Sequence, residues 1–137
     1  MKWHGTSPNG IEGIFFTHLR WDHDRNNALF QNAVFYAQKQ ECLSVAEKNL
    51  PGFEKELVLK STYVLLEGDQ ERVVPGISVL LTQGHSEGSQ TIIVDTTAGE
   101  TALAGDLLPT YENVSLKTPG GGHYDLDTIT ARMNKVS

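Results

Sequence analysis

The sequence predicts a mixed α/β (α+β) domain with a largely antiparallel or mixed sheet and flanking helices. The chain of 137 residues is 39% hydrophobic and 20% charged, which is typical of one globular unit with a single core. Short β-branched or aliphatic runs separated by turn residues fill its second half. Its first half combines a strand-like apolar run with a helix-like periodic stretch.

The first half contains one predicted strand and one clearly predicted helix. Residues 11–17, IEGIFFT, form an apolar run short enough for a buried strand, and a polar cluster over 18–27 ends it. Two further apolar stretches follow at 28–37 and 41–50, and the second is the more clearly helical. A Pro-Gly pair follows that stretch, which is the order expected past the end of a helix.

The second half predicts successive short strands followed by a glycine-rich tail. The last two strands are close enough for a hairpin across Ala98, Gly99 and Glu100. In the tail, residues 127–136 are suited to a short helix capped by Asp127. The four predicted strands are 63–67, 77–82, 91–97 and 101–104.

Charge and hydropathy exclude several classes of function. The net charge of −6, with Lys and Arg scattered singly, disfavours nucleic acid or an anionic membrane surface as a partner. No apolar run reaches the roughly 18 to 20 residues that cross a bilayer, and the start lacks the apolar stretch of a signal peptide. A cytoplasmic location is therefore expected. Cys42, the single cysteine, is expected to be a buried structural thiol.

The densest group of candidate functional residues lies at the end of the first predicted strand. His18, Asp22 and His23 fall within six residues there, in a loop that a rigid scaffold can hold in place. Their nitrogen and oxygen atoms are ligands for zinc, iron, cobalt or manganese when several converge on one ion. His85, in a glycine-flanked turn, and Asp106 also follow predicted strands. Each of these two alone is weak evidence, because such residues usually serve as solvated loop or turn residues.

Taken in order, these motifs resemble the metallo-β-lactamase superfamily. THLRWDH (17–23) is similar to its HxHxDH signature, QGHSEGSQ (83–90) to its downstream histidine turn, and LAGDLLP (103–109) to the strand that ends in its metal-bridging aspartate. The flanking segments NNALFQNAVFYAQKQE and YENV resemble the lactonase and acyl-homoserine-lactonase branch. The resemblance implies that residues 1–137 form a single truncated domain, a partial αββα sandwich.

The resemblance also implies roles for individual residues. His18 and His85 would serve one metal site, Asp22 and His23 a second, and Asp106 would bridge them. One or two cations, Zn²⁺ or alternatively Fe, Mn or Co, would hold a hydroxide and polarise the carbonyl of a lactone or ester, with β-lactam-like compounds in the same substrate class. Asp22 would act as the catalytic residue that orients this water.

Arg20 departs from the signature, because the family has its second histidine at this position. An arginine has no lone pair to give a cation, and it stays protonated in proteins. Arg20 is therefore an altered ligand position that repels a cation placed beside it. We expect a bound metal to prefer the side of Asp22, His23 and Asp106.

Two other family features are missing or displaced. The lactonase branch often has a tyrosine three residues after the bridging aspartate, but Pro109 stands there, and Tyr111 is the nearest phenol that could contact a substrate. A half-buried ring at the end of a strand is the alternative interpretation of Tyr111. The family's last histidine has no counterpart, since His123 follows Asp106 too closely to be its obvious equivalent.

The family's leading strands have no counterpart before the signature. A sheet without those neighbours would expose backbone donors and acceptors along an edge. We therefore expect a homodimer or higher oligomer that covers the edge. A natural gene fragment or a deliberate truncation that folds poorly would be the other explanation.

Two functions from different classes remain open on the sequence. The first is a metal-dependent hydrolase that acts on a small lactone or ester substrate. The second is a degenerate module with weak or no activity that keeps the fold and needs self-association to complete its sheet. In the second, Arg20 would fill the vacated site and pair with Asp22 or Asp106, because a buried charge needs a partner.

Overall fold

The computed structural model describes residues 5–48 and 62–116 and arranges their strands in two sheets. The parallel sheet has the order β1-β2-β3 and consists of β1 (Gly13–Phe15), β2 (Val34–Gln38) and β3 (Thr62–Leu66). The antiparallel sheet has the order β4-β5-β6-β7 and consists of β4 (Gln70–Val74), β5 (Ile77–Leu81), β6 (Gln90–Thr96) and β7 (Gly99–Leu103). The helices are α1 (Trp21–Asp24), α2 (Lys39–Lys48) and α3 (Tyr111–Leu116).

The predicted mixture of helices, antiparallel strands and parallel strands is confirmed. All four strands predicted in the second half are present, and β6 and β7 form the predicted hairpin, in which Thr96 pairs with Gly99. The strand β4 was missing from the prediction, because its sequence QERVV has only two apolar residues. Its pairing with β5 is also irregular, and Arg72 within it adopts a left-handed φ of 50°.

The stretch at 28–37 is not helical, so its weaker helical pattern was misleading. A short 3-10 helix covers Asn27–Leu29, and the rest of the stretch belongs to β2. Along β2 the buried residues alternate, since Phe35 and Ala37 are each 1% exposed whereas their neighbours Val34 and Tyr36 are half-buried. β2 pairs on both sides in a parallel sheet, and this tertiary environment outweighs local helix propensity.

The hydrophobic core lies on β2 and its neighbours. The Phe35 ring stacks between the rings of Phe16, 5.8 Å away, and Tyr63, 5.4 Å away. Cys42 on α2 is half-buried against this cluster, and burial raises the pKa of its thiol to about 11. The thiol therefore stays protonated at neutral pH, as a structural thiol does, but it is half-buried and not fully buried as expected. The buried members of the cluster are Phe16, Leu19, Ala33, Phe35, Ala37 and Val45.

Two buried glutamines connect the sheets. The Gln38 amide, at the end of β2, donates to the Gln90 side-chain oxygen (3.0 Å) and to the Gly68 carbonyl (2.9 Å). The Gln90 amide, at the start of β6, donates to the Phe16 carbonyl (2.6 Å), and its backbone N–H donates to the Thr17 carbonyl (2.8 Å). Buried amides need such partners. The two bonds from Gln90 hold the residues that follow β1 beside the start of β6. Candidate functional residues lie next to both of these segments.

Some expectations concern parts of the chain that the structure does not describe. The end of the helix predicted at 41–50, the helix predicted at 127–136 and His123 all lie outside the described residues. Within residues 5–48 and 62–116, no helix has the length and apolar character needed to cross a lipid bilayer.

Candidate metal centre

Three segments bring the candidate ligands together. The His18 loop (residues 16–20) follows β1, and α1 directly after it carries Asp22 and His23. The His85 loop (residues 82–89) joins β5 to β6, and Asp106 lies in a 3-10 helix after β7. All five residues named from the sequence are therefore on segments that begin where a strand ends, and the fold collects them at one place.

The carboxylate of Asp106 lies between two sets of histidines. Its Oδ2 is 3.6 Å from His85 Nε2 and 3.9 Å from His18 Nε2. Its Oδ1 is 3.5 Å from His23 Nε2, which is itself 3.7 Å from Asp22 Oδ2. The His18 ring centroid lies 4.1 Å from that of His23 and 4.7 Å from that of His85. One carboxylate thus directs each of its oxygens to a different part of the cluster.

His18, His85 and Asp106 form the tightest set. Each offers one ligand atom, and these atoms all lie within 4.8 Å of one another, a combination that no other group in the described ranges achieves. This geometry weighs against the expectation that a cation prefers the side of Asp22 and His23. That expectation rested on the ligand replaced by Arg20 and on the charge of Arg20, whereas the structure adds the distances between the ligand atoms.

His18 is built to present one nitrogen. Its side chain is 1% exposed, and its Nδ1 lies 3.2 Å from the Thr17 hydroxyl, which orients the ring. Its Nε2 is buried and has no hydrogen-bond partner in the described part of the chain. Burial, the neighbouring His23 and His85 rings and, to a smaller degree, Arg20 lower the pKa of His18 to about 4, against the opposing effect of Asp106. The imidazole is therefore neutral at pH 7, the form that binds a cation.

The nitrogen and oxygen donors present fit a divalent cation such as zinc. Buried polar atoms normally have partners, and a cation would give His18 Nε2 the one it lacks within the described residues. Two imidazoles and a carboxylate are also a donor set typical of catalytic zinc, which keeps a fourth position open. The chemistry of the side chains and their placement therefore agree.

The backbone of Gly105 lies close to the Thr17 side chain, and this close packing brings Asp106 near His18. A Cβ atom at Gly105 would lie 2.6 Å from the Thr17 hydroxyl oxygen, closer than real side chains come. Gly105 also has a left-handed φ of 55°, which only glycine adopts freely. Any side chain here would push the Asp106 segment away from the His18 loop.

The His85 loop contains two consecutive left-handed residues before His85. Gln83 has a φ of 52° and Gly84 a φ of 104°, and a non-glycine residue in this region costs about 1 kcal/mol. The Gln83 N–H donates to the Ser89 carbonyl (2.7 Å), and its side chain donates to the Glu87 carbonyl (2.8 Å). These bonds close the loop on itself and hold His85 in place.

Arg20 lies at the rim of the cluster and is exposed. Its guanidinium donates a long hydrogen bond of 3.5 Å to the His85 carbonyl. Among the described residues it makes no ion pair with Asp22 or Asp106. The carboxylate pairing required by the degenerate-module hypothesis is therefore not observed there.

Tyr111 lies at the first position of α3, and its side chain is 95% exposed. The alternative of a half-buried ring at the end of a strand is therefore wrong, because the chain turns into a short helix after Asp106. At the start of this helix, Asn113 Oδ1 accepts from both the backbone N–H (3.0 Å) and the hydroxyl (2.7 Å) of Thr110. A role for Tyr111 in substrate contact stays a prediction.

Glu41 is a buried residue at this site that the sequence did not reveal. Its carboxylate is 2% exposed and contacts both the His18 loop and the His85 loop. The sequence around it, AQKQE, is so polar that it suggests an exposed helix start. The weak signal for its burial is the spacing of three and four residues that places Glu41 on the same helix face as Ser44 and Val45.

Comparisons with known proteins agree with this geometry. The profile of the Metallo-beta-lactamase superfamily matches residues 1–135. An N-acyl homoserine lactonase of Bacillus thuringiensis is 33% identical over 120 residues, which are 86% of this chain and 47% of the relative. The chain thus spans about half the length of the curated relatives it matches.

Two solved structures have the same fold over nearly the whole chain. One is a variant of B. thuringiensis AiiA with N-decanoyl-L-homoserine bound at the active site. Its TM-score is 0.79 at 31% identity, and the match covers 96% of this chain and 52% of the AiiA chain. The other is an N-acyl homoserine lactone hydrolase with the product N-hexanoyl-L-homoserine bound at its catalytic metal centre. Its TM-score is 0.79 at 30% identity, with 96% of this chain and 52% of that one covered.

Proposed function

The chain belongs to the metallo-β-lactamase superfamily, and from this premise we propose that it is a metal-dependent hydrolase of lactone or ester substrates. The observation that carries the proposal is the position of Asp106 between His23 on one side and His18 with His85 on the other. A carboxylate shared in this way suits one cation, or two that it bridges.

The proposed ligands divide between the two oxygens of Asp106. His18, His85 and Asp106 would hold the first cation, because their ligand atoms already converge. His23, Asp22 and the other oxygen of Asp106 would hold a second cation more weakly. A divalent cation, Zn²⁺ or alternatively Fe, Mn or Co, lowers the pKa of water and polarises a carbonyl group, which is the chemistry that hydrolysis needs.

The protein side chains would orient the reactants. Asp22 is 48% exposed and accepts hydrogen bonds when ionised, so it can align an attacking water and take its proton. The His18 ring, 1% exposed, and the His85 ring, 11% exposed, would limit the access of solvent to the inner side of the site.

The substrate class follows from the relatives. The B. thuringiensis relative is an N-acyl homoserine lactonase; one solved neighbour holds N-decanoyl-L-homoserine at its active site, and the other holds the product N-hexanoyl-L-homoserine. We extend this to the present chain as a proposal: its small-molecule substrate is a lactone, with simple esters as slower alternatives.

The test measures the hydrolysis of N-hexanoyl homoserine lactone through the acid that the reaction releases at constant pH. We expect hydrolysis that a chelator abolishes and that Zn²⁺, Mn²⁺ or Co²⁺ restores, because the cation supplies the reactive chemistry. His18→Ala, which removes the most buried ligand, is the matched inactive control. A chain that binds a cation but hydrolyses neither lactones nor esters would contradict the proposed activity while leaving the metal site intact.

The proposal includes a homodimer or higher oligomer. All five residues of β7 are exposed, and β7 is an edge of its sheet among the described strands. Leu103 on β7 and Leu65 on β3 are 50% and 49% exposed. Exposed strand edges with apolar side chains favour pairing with another chain.

Light scattering at micromolar concentration measures the assembly directly. We expect a mass at least twice the 15.1 kDa of one chain. Leu103→Lys should shift that mass toward the monomer, because a charge on the edge opposes strand pairing. A cooperatively folded monomer of the unaltered chain would rule out this part of the proposal.

A further inference from the structure

Glu41 is a buried carboxylate without a basic partner among the described residues. Its side chain lies in the first turn of α2 and is 2% exposed, and it takes part in none of the ion pairs found there. A buried carboxyl group without a basic partner needs hydrogen bonds, because burial removes its water. The positive end of the helix dipole adds to that stabilisation.

The hydrogen bonds of Glu41 come from both histidine-bearing loops. Its Oε1 accepts from the backbone N–H of Leu19 at 3.0 Å, directly after His18. Its Oε2 accepts from the hydroxyl of Ser86, directly after His85, at 2.7 Å and from the N–H of Gly88 at 3.0 Å. Each oxygen therefore holds one loop, and the rigid carboxylate sets the distance between them.

Close packing at Gly88 shows that this contact is tight. A Cβ atom at Gly88 would lie 2.2 Å from the backbone nitrogen of Glu41, a distance that side chains do not reach. The His85 loop thus rests directly on the first turn of α2. Glycine at this position lets the Gly88 N–H reach the carboxylate.

We infer that Glu41 is a positioning residue that sets the spacing of His18 and His85 for cation binding. It acts through the backbone of the two loops, since its own oxygens are occupied by Leu19, Ser86 and Gly88. Groups behind the ligands of a metal commonly tune its affinity by holding the ligands in place. The inference rests on the proposed function, because it requires that His18 and His85 bind a cation.

Glu41→Gln is the discriminating substitution. Glutamine has nearly the same shape but only one acceptor oxygen, so it can satisfy one loop and must turn an N–H₂ group toward the donors of the other. Titration of the metal-free full chain with Co²⁺, followed by its visible absorption, gives the affinity and reports the ligand geometry. We expect Glu41→Gln to weaken Co²⁺ binding by about 10- to 100-fold and to change the absorption bands.

Two control variants separate positioning from general stability. Lys48→Ala removes an exposed ion pair of 2.7 Å to Glu87, which joins the same helix to the same loop. Val79→Ala creates a cavity at a fully buried position of β5 and lowers the thermal midpoint. Both should keep the Co²⁺ affinity of the unaltered chain at temperatures where they are folded.

The outcomes distinguish this inference from the proposed function. Unaltered Co²⁺ affinity in folded Glu41→Gln would overturn the positioning role, even if its thermal midpoint fell. Should Glu41→Gln not fold, Ser86→Ala replaces it, since it removes one of the two bonds from Glu41 to the His85 loop and leaves the bond from the Gly88 N–H. In that variant a reduced Co²⁺ affinity supports the role and an unchanged affinity overturns it. An unaltered chain that binds no Co²⁺ would overturn the proposed metal site and the inference together.

Discussion

Arg20→His is expected to raise both the metal content and the hydrolytic activity of the chain. The substitution removes a permanent positive charge from beside His18 and adds a neutral imidazole at the spacing of the family signature. Metal content should rise, because the added imidazole gives the His18 side a further ligand, and hydrolysis should rise by on the order of tenfold or more, because the bound cation supplies Lewis acidity. Elemental analysis and lactone hydrolysis measure the two effects.

Arg20→Gln is the matched control, because it removes the charge without supplying an imidazole. It should raise cation affinity modestly, since Arg20 is exposed and its charge is screened. The difference between the two variants then measures the contribution of the new ligand. An Arg20→His protein that melts at a lower temperature and carries no metal with added zinc would contradict the hydrolase assignment and support a structural role for the arginine.

His85→Ala is expected to remove most of the bound metal, and His23→Ala to remove less. His85 belongs to the set whose ligand atoms converge within 4.8 Å, and its side chain is 11% exposed. Loss of one of three ligands should weaken the first cation by at least about 100-fold, the upper end of the effect of groups behind the ligands. His23 is 32% exposed and lies on the other side of Asp106, so its loss should mainly affect a second cation.

Metal content after dialysis against a weak chelator ranks these variants. Asp106→Asn sets the upper limit of metal loss. Asp106 lies beside both sets of histidines, so its replacement should empty both positions. The reverse ranking, with His23→Ala losing more metal than His85→Ala, would restore the order expected from the sequence, in which the metal prefers the side of His23. It would also show that Arg20 disfavours the His18 side more than the geometry favours it.

Local sequence patterns were sufficient for four of the five strands of the second half and for naming candidate metal ligands. Short β-branched runs bounded by glycine or proline specify strands with little help from the rest of the molecule. Imidazoles and carboxylates that follow such runs are also visible from the sequence, and His18, His85 and Asp106 were named from it. The pattern at 28–37 was misleading, since aromatic and β-branched residues in β2 satisfy either period until neighbouring strands are present.

Polar residues in the interior could not be recognised from the sequence. Gln38, Glu41 and Gln90 have the composition of a solvated surface, yet all three are at most 2% exposed. Their burial depends on partners distant in sequence, such as the 47 positions between Glu41 and Gly88. A polar group is buried only where such partners exist, and only the folded chain shows where they do.

The sequence by itself determined which residue types are available for metal chemistry, that each follows a strand, and that Arg20 cannot be a ligand. Those conclusions depend on side-chain chemistry and local backbone preference, which neighbours along the chain largely decide. Only the tertiary structure decided that His18 and His85 share one oxygen of Asp106 while His23 faces the other. Distances between loops are set by sheet pairing, by the Gln38–Gln90 bridge and by Glu41, and these long-range contacts leave no periodic trace in the sequence.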